Sequence, residues 1–173
     1  AASPEPVAVD LGTGSGAIAL SLATEVPHAQ VHAAENDVAA FLWAKENFAA
    51  VGARNARVAF VGLAAAFGEL DGTVSVVVSN PPYVPDDAIP RDPEVRFFDP
   101  PAALDGGPDG LDVIRVLSGV GMRLLHPGGV LIIEHGEWQG AAIRDLLTAD
   151  GWRAAATHRD LTLRDRATTA LRP

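Results

Sequence analysis

The chain alternates short apolar runs with helical patterns. Val7-Ala-Val-Asp-Leu11 is too short for a helix and predicts a buried strand. It runs straight into a glycine-rich turn and then a helix-like stretch from Ala17 to Val26, forming a strand, turn, helix unit. The pattern repeats with a strand over Val31 to Glu35, a helix over Val38 to Ala50 and a third strand over Ala56 to Val61. Val74-Ser-Val-Val-Val-Ser79 is rich in β-branched residues and predicts a strand buried on both faces, as in the middle of a parallel sheet. Beyond Asn80, the stretch from Pro81 to Pro108 is rich in Pro, Asp and Gly. A loop that long inside a compact domain usually has a task, so substrate contacts are expected there.

A helix from Leu111 to Leu125, the turn His126-Pro-Gly-Gly129, a strand from Val130 to Glu134 and a helix from Gln139 to Ala149 complete the βα rhythm. After Gly151 the pattern changes to two strand-like runs, Arg153 to His158 and Ala167 to Leu171, joined by a polar turn. These predict an antiparallel hairpin at the sheet edge. Alternating βα units imply an α/β fold with a doubly wound, mostly parallel sheet, in which ligands bind at the carboxyl ends of the strands where strand order reverses. The first and fourth strands would flank that crevice, and both end in the two most unusual local sequences of the chain.

Composition narrows the function. The 173 residues suit one domain spanning 1–173, and no apolar run approaches the ~20 residues of a membrane span. No segment near the start has the pattern of a signal peptide, and a soluble protein is expected. With no cysteine there is neither a disulfide framework nor a thiolate zinc site. The histidines at 28, 32, 126, 135 and 158 lack metal-ligand spacing, so no metal is expected. A formal charge of −9 makes an extended nucleic-acid face unlikely and favours a protein or small-molecule substrate.

Asp10-Leu-Gly-Thr-Gly-Ser-Gly16 puts three glycines where a strand must turn tightly into a helix. Gly12, Thr13, Gly14, Ser15 and Gly16 can then approach a ligand closely and offer backbone N–H groups. A tight βα turn alone would look similar, but the spacing is GxGxG rather than the GxGxxG of a dinucleotide fold, and no Lys-Ser/Thr follows for a triphosphate. Asp10 adds a carboxylate suited to an ammonium group. Glu35, about 20 residues after the turn at a strand end, can accept both ribose hydroxyls of an adenosine. A nucleoside carrying an amino acid fits these features, and S-adenosyl-L-methionine is one.

Asn80-Pro81-Pro82-Tyr83 has the makings of a clamp for a planar nitrogen. An amide nitrogen is a poor nucleophile because its lone pair is delocalised, so both its protons must be held by acceptors. Asn80 supplies a side-chain carbonyl, and Pro81 a backbone carbonyl held extended by the proline that follows it. Tyr83 supplies a face for stacking, and the proline pair fixes the backbone without donors. Catalysis would come from positioning and electrostatics.

DLGTGSG followed by SNPPY resembles the HemK-like family of glutamine N5-methyltransferases. The likeness continues through Glu94-Val-Arg96, Asp99-Pro100, Ala103-Leu-Asp-Gly-Gly107, Asp109-Gly-Leu111, Pro127-Gly-Gly129, Glu134-His-Gly136, Gln139, Arg159-Asp-Leu161 and Asp165-Arg166. The resemblance implies a class I S-adenosylmethionine-dependent methyltransferase of the cytoplasm, Rossmann-like, whose partner is a peptide-chain release factor methylated at the Gln of a Gly-Gly-Gln motif. It further implies that Gly12 to Gly16, Glu35 and Asn80 contact the cofactor, and that Asn80, Pro81, Pro82 and Tyr83 hold the glutamine.

Two departures from the family stand out. Ala64, in Val61-Gly-Leu-Ala-Ala-Ala66, occupies the place of an acidic residue near the adenine amino group. Losing that hydrogen bond would cost on the order of 1 kcal/mol, or roughly ten-fold in affinity. The family's N-terminal helical domain, thought to help dock the release factor, is also missing from this chain: either the chain is a fragment or it docks differently. Trp43 could shape an adenosine pocket, though an aromatic at helical spacing is more often core. Arg91, Arg96 and Arg115 read as solvated charges, and Glu134 and His135 as neighbours of the groove. The alternatives are an adenine N6 methyltransferase, disfavoured by the charge, and a binding module without turnover.

Overall fold

The computed structural model describes residues 5–86, 88 and 101–173. Seven strands form one sheet, β1 (Val7–Leu11), β2 (Gln30–Glu35), β3 (Ala56–Phe60), β4 (Val74–Ser79), β5 (Leu125–Glu134), β6 (Arg153–Arg159) and β7 (Asp165–Leu171), in the order β3-β2-β1-β4-β5-β7-β6. The first five are mutually parallel, while β7 is antiparallel to both β5 and β6. This is the doubly wound, mostly parallel sheet expected from the βα rhythm. The terminal hairpin also forms, but its second strand returns inside its first, leaving β6 as the edge.

Helices α1 (Ala17–Glu25) and α2 (Val38–Val51) pack over β1 to β3, whereas α3 (Asp112–Leu124) and α4 (Gly140–Ala149) pack over β4 to β7. The two layers bury different strand residues. Ala8, Val31 and Ala33 join Ala19 and Ala23 of α1, while Val9, Leu11 and Val77 join Ile114, Leu117 and Leu124 of α3 with Ile143 and Leu147 of α4. Ala8 and Val9 are successive in one strand, so the two clusters lie on opposite faces of the sheet. Asp37 caps α2 by accepting from the N–H of Ala40 at 2.8 Å, and Gly52 ends the helix in the left-handed region at φ 67°.

The β4 strand departs from expectation. Only Val74, Val77 and Ser79 are fully buried, while Val76 and Val78 are half-buried because α1 and α2 cover β1 to β3 rather than that side of β4. The turn at His126 to Gly129 survives as a break in register within β5, between the Val74–Leu125 and Val76–Val130 pairings. Strand order reverses between β1 and β4, whose carboxyl ends therefore open a crevice. Ser79 closes its floor, donating its hydroxyl to the carbonyl of Leu11 at 2.6 Å. Among the described residues no helix is long and apolar enough to cross a membrane.

Candidate active site

A cleft of ≈ 770 Å³ lies over this reversal, within the range of small-molecule sites. Its lining includes Gly12, Gly14 and Glu35 on one side and Asn80, Pro81, Pro82 and Tyr83 on the other. The two unusual sequences, far apart in the chain, thus face one cavity. Thr13, Ser15, Gly16 and Asp10 are outside the lining.

The glycine turn spends its N–H groups on its own construction. Gly12 and Thr13 both donate to the carbonyl of Ala34, at 2.9 and 3.0 Å, and Gly16 donates to Thr13. Gly14 donates to Glu35 Oε2 at 2.8 Å. Glycine is required here for shape: Gly14 has φ 57°, and a Cβ on Gly16 would fall 2.7 Å from the Phe48 ring. Beneath the turn, Asp10 is fully buried. Its Oδ2 accepts from the Thr13 hydroxyl at 2.5 Å and from the N–H of Ala19, in the first turn of α1, at 3.1 Å. Its Oδ1 has no partner among the described residues, and burial raises its pKa from 3.8 to about 6 against the opposing pull of those hydrogen bonds. The carboxylate pictured for a ligand ammonium is instead directed into the β1–α1 junction.

Glu35 is 7% exposed. Its Oε1 accepts from the N–H groups of Asn36 and Asp37, both at 2.8 Å, while Oε2 holds Gly14. The carboxylate is fixed in place and ties the glycine turn to the end of β2. Next to it, Leu63 of the one-turn helix Leu63–Ala65 lines the cleft. Ala64, at the position anticipated for an acidic residue, is exposed and outside the lining.

Across the cleft, Asn80 stands exposed at the tip of β4, and neither its side chain nor the Pro81 carbonyl accepts a hydrogen bond from the described residues. Tyr83 is half-buried, and its own carbonyl accepts from Gln139 Nε2 at 2.9 Å.

A family model for the methyltransferase small domain matches residues 2–104. The chain belongs to the methyltransferase small domain family. The release factor glutamine methyltransferase of Streptomyces coelicolor is 46% identical over 170 residues, a span covering 96% of the chain and 59% of that protein. The 4-amino-L-phenylalanine/4-methylamino-L-phenylalanine methyltransferase of Streptomyces pristinaespiralis is 42% identical over 167 residues, covering 96% of the chain and 56% of that protein. The chain thus spans under three fifths of the length of these relatives. A methyltransferase from Pyrococcus furiosus shares the fold, with a TM-score of 0.69 at 18% identity over 98% of this chain and 77% of that one.

The most informative residue of this methyltransferase domain that motif reading did not assign is Gln139. Besides Tyr83, its Nε2 donates to Gly110 at 3.2 Å, while its Oε1 accepts from the N–H of Gly136 at 2.8 Å. One amide thus joins three loops. The packing around it is tight: a Cβ on Gly110 would lie 2.5 Å from the Tyr83 carbonyl oxygen. Val84 extends the lacing, donating to Leu104 and accepting from Gly106. Asn36, Asp37, Ala40 and Val113 also line the cleft, and only their proximity to Glu35 or to the start of α3 could have suggested it.

Other residues of interest lie elsewhere. Trp43 is 64% exposed on α2 and outside the lining, so it joins neither cleft nor core. Arg115 is engaged by Asp109 and Asp112. His135 is fully buried, bridging the Gly136 carbonyl and the Thr168 hydroxyl at 2.8 Å each, and burial holds its pKa below the usual value. Arg91, Arg96 and the stretches Glu94-Val-Arg96 and Asp99-Pro100 are outside the described residues.

Proposed function

We propose that this domain transfers a methyl group from S-adenosyl-L-methionine to the side-chain nitrogen of a glutamine, in the Gly-Gly-Gln motif of a peptide-chain release factor. The carrying observation is the pair of acceptors, Asn80 Oδ1 and the Pro81 carbonyl, unengaged among the described residues, at the mouth of a cleft whose opposite wall is built from Gly12, Gly14 and Glu35.

The lining suits the cofactor. Glu35 keeps lone pairs beyond the three N–H groups it already accepts, enough for ribose hydroxyls, and its position is fixed before binding. Leu63 and Ala40 offer an apolar slot for a base. When bound, the cofactor supplies an electrophilic methyl on a sulfonium. The protein's part is orientation: Asn80 and Pro81 each accept one proton of the target amide, turning its lone pair towards that methyl, and Tyr83 stacks on the amide plane. As the nitrogen bonds to carbon it becomes more acidic, and these acceptors hold its protons more strongly, a gain largest in the transition state. The proton leaves to water.

The test incubates the protein with labelled S-adenosyl-L-methionine and a release factor, with peptide mapping of the product. Label on the Gly-Gly-Gln glutamine is expected, and no label at saturating cofactor would overturn the proposal. A second reading draws on the relative named for 4-amino-L-phenylalanine, since an arylamine is also a planar nitrogen with two protons to hold. Running that amino acid in parallel separates the two.

A further inference from the structure

At the carboxyl end of the sheet, beyond the clamp, the surface of the described residues carries large exposed apolar groups. Trp138 is 87% exposed, Leu161 104% and Leu163 74%. Trp138 immediately precedes Gln139, in the segment after β5 that holds Tyr83. Leu161 and Leu163 occupy the turn between β6 and β7, at the same carboxyl end of the sheet because β6 runs parallel to β5. An ion pair between Arg164 Nε and Glu137 Oε2 at 3.8 Å joins the two segments, and the N–H of His135 donates to Arg166.

The turn is built to hold its leucines outward. Asp160 Oδ1 accepts from the N–H groups of Thr162 and Arg164 and from the Thr162 hydroxyl, at 2.7 to 3.1 Å. The Asp160 N–H donates to the Arg164 carbonyl, and Leu163 sits in the left-handed region at φ 66°, which Leu rarely adopts. A rigid turn that accepts backbone strain in order to present two leucines is typical of a recognition element. Its arginines are already neutralised: Arg159 by Asp165, Arg164 by Glu137 and Arg166 by Asp160. The rim is therefore apolar and nearly neutral, a poor match for phosphates and a good one for the apolar side chains of a polypeptide.

We propose that Trp138, Leu161 and Leu163 form a ledge that docks the folded protein substrate beside its target glutamine. The inference rests on the function proposed above. A free amino acid would fit within the cleft, whereas a folded protein presenting a glutamine to Asn80 rests on the surface around the cleft mouth, and this rim lies at the same carboxyl end of the sheet. Exposed tryptophan on a fixed frame is the residue type that most often dominates such contacts.

The test compares the wild type with W138A/L161A/L163A on two substrates, an intact release factor and a short peptide carrying Gly-Gly-Gln. All three side chains are solvent-exposed, so melting temperature and cofactor affinity should be retained. The expected result is a KM for the release factor raised roughly ten-fold or more, with kcat/KM for the peptide unchanged. An unchanged KM for the release factor, or an equal loss on both substrates, overturns the ledge and leaves the methylation intact. A wild type that methylates neither substrate overturns the functional reading and the ledge with it.

Discussion

The two walls of the cleft solve opposite problems. On the Gly14–Glu35 wall the polar groups are spent on one another: Glu35 holds three N–H groups, Ala34 takes two, and Asp10 bridges β1 to α1. On the Asn80–Tyr83 wall the acceptors at the tip are unengaged among the described residues, and rigidity is imported from behind by two prolines and by Gln139. The first wall presents a shape, so under the proposed function the residues that would hold the cofactor are also structural residues. The second presents unmet hydrogen-bonding capacity, so chemistry and stability are separable there.

That contrast can be broken at several points. Asn80→Ala should reduce kcat by about 10²–10³-fold, the cost of a lost transition-state acceptor, with little change in melting temperature because the Asn80 side chain holds no other described residue. A loss of fold accompanying the loss of rate would erase the contrast.

On the opposite wall, Asp10 makes stability depend on pH. Its folded pKa of about 6 lies above the ordinary 3.8, so between these values the folded chain holds a proton that the unfolded chain has released, and stability falls as pH rises. Above pH 6 the full penalty, up to about 3 kcal/mol, is in place. Asp10→Asn should remove that slope, so urea unfolding from pH 4 to 7 should show the variant gaining on the wild type as pH increases. Parallel profiles would refute the buried-carboxylate account.

Glu35→Ala should weaken cofactor binding and, unlike Asn80→Ala, also destabilise the fold by about 2–3 kcal/mol, since Gly14, Asn36 and Asp37 lose a charged acceptor. Calorimetry and denaturant unfolding read the two effects. The smallest change is expected from Gln139→Ala, a fall of roughly ten-fold in kcat/KM with cofactor affinity retained. An unaffected kcat/KM would mean that the prolines alone hold the clamp.

Much of this was legible in the residues. The apolar runs marked every strand of the sheet, and the Gly and Asn-Pro-Pro sequences fell at the two strand ends that face the cleft. Less visible was the direction of individual side chains. Asp10 looked like a ligand carboxylate, yet in β1 it is in register with Val78 of β4 and Ala33 of β2, and its side chain turns towards α1. Strand alternation puts Asp10 on the same face as Ala8, but which helix covers that face is fixed only when the sheet and its helices assemble. Ala64 was likewise expected beside the base, whereas of the tight turn Leu63–Ala65 it is Leu63 that lines the cleft.

By itself, then, the sequence determined what depends on neighbours in the chain: the presence and order of strands and helices, and the turns only glycine can make. It also determined the stiffness of the proline pair, because backbone sterics and hydrophobic periodicity are local. Tertiary structure decided what depends on segments meeting. It seated β7 between β5 and β6, and it brought Gln139 to the carbonyl of Tyr83, 56 residues earlier. It also engaged Glu35 with Gly14 across 21 residues. Such contacts arise only once the sheet has assembled and each hydrogen-bonding group must find its partner among whatever packing has brought near.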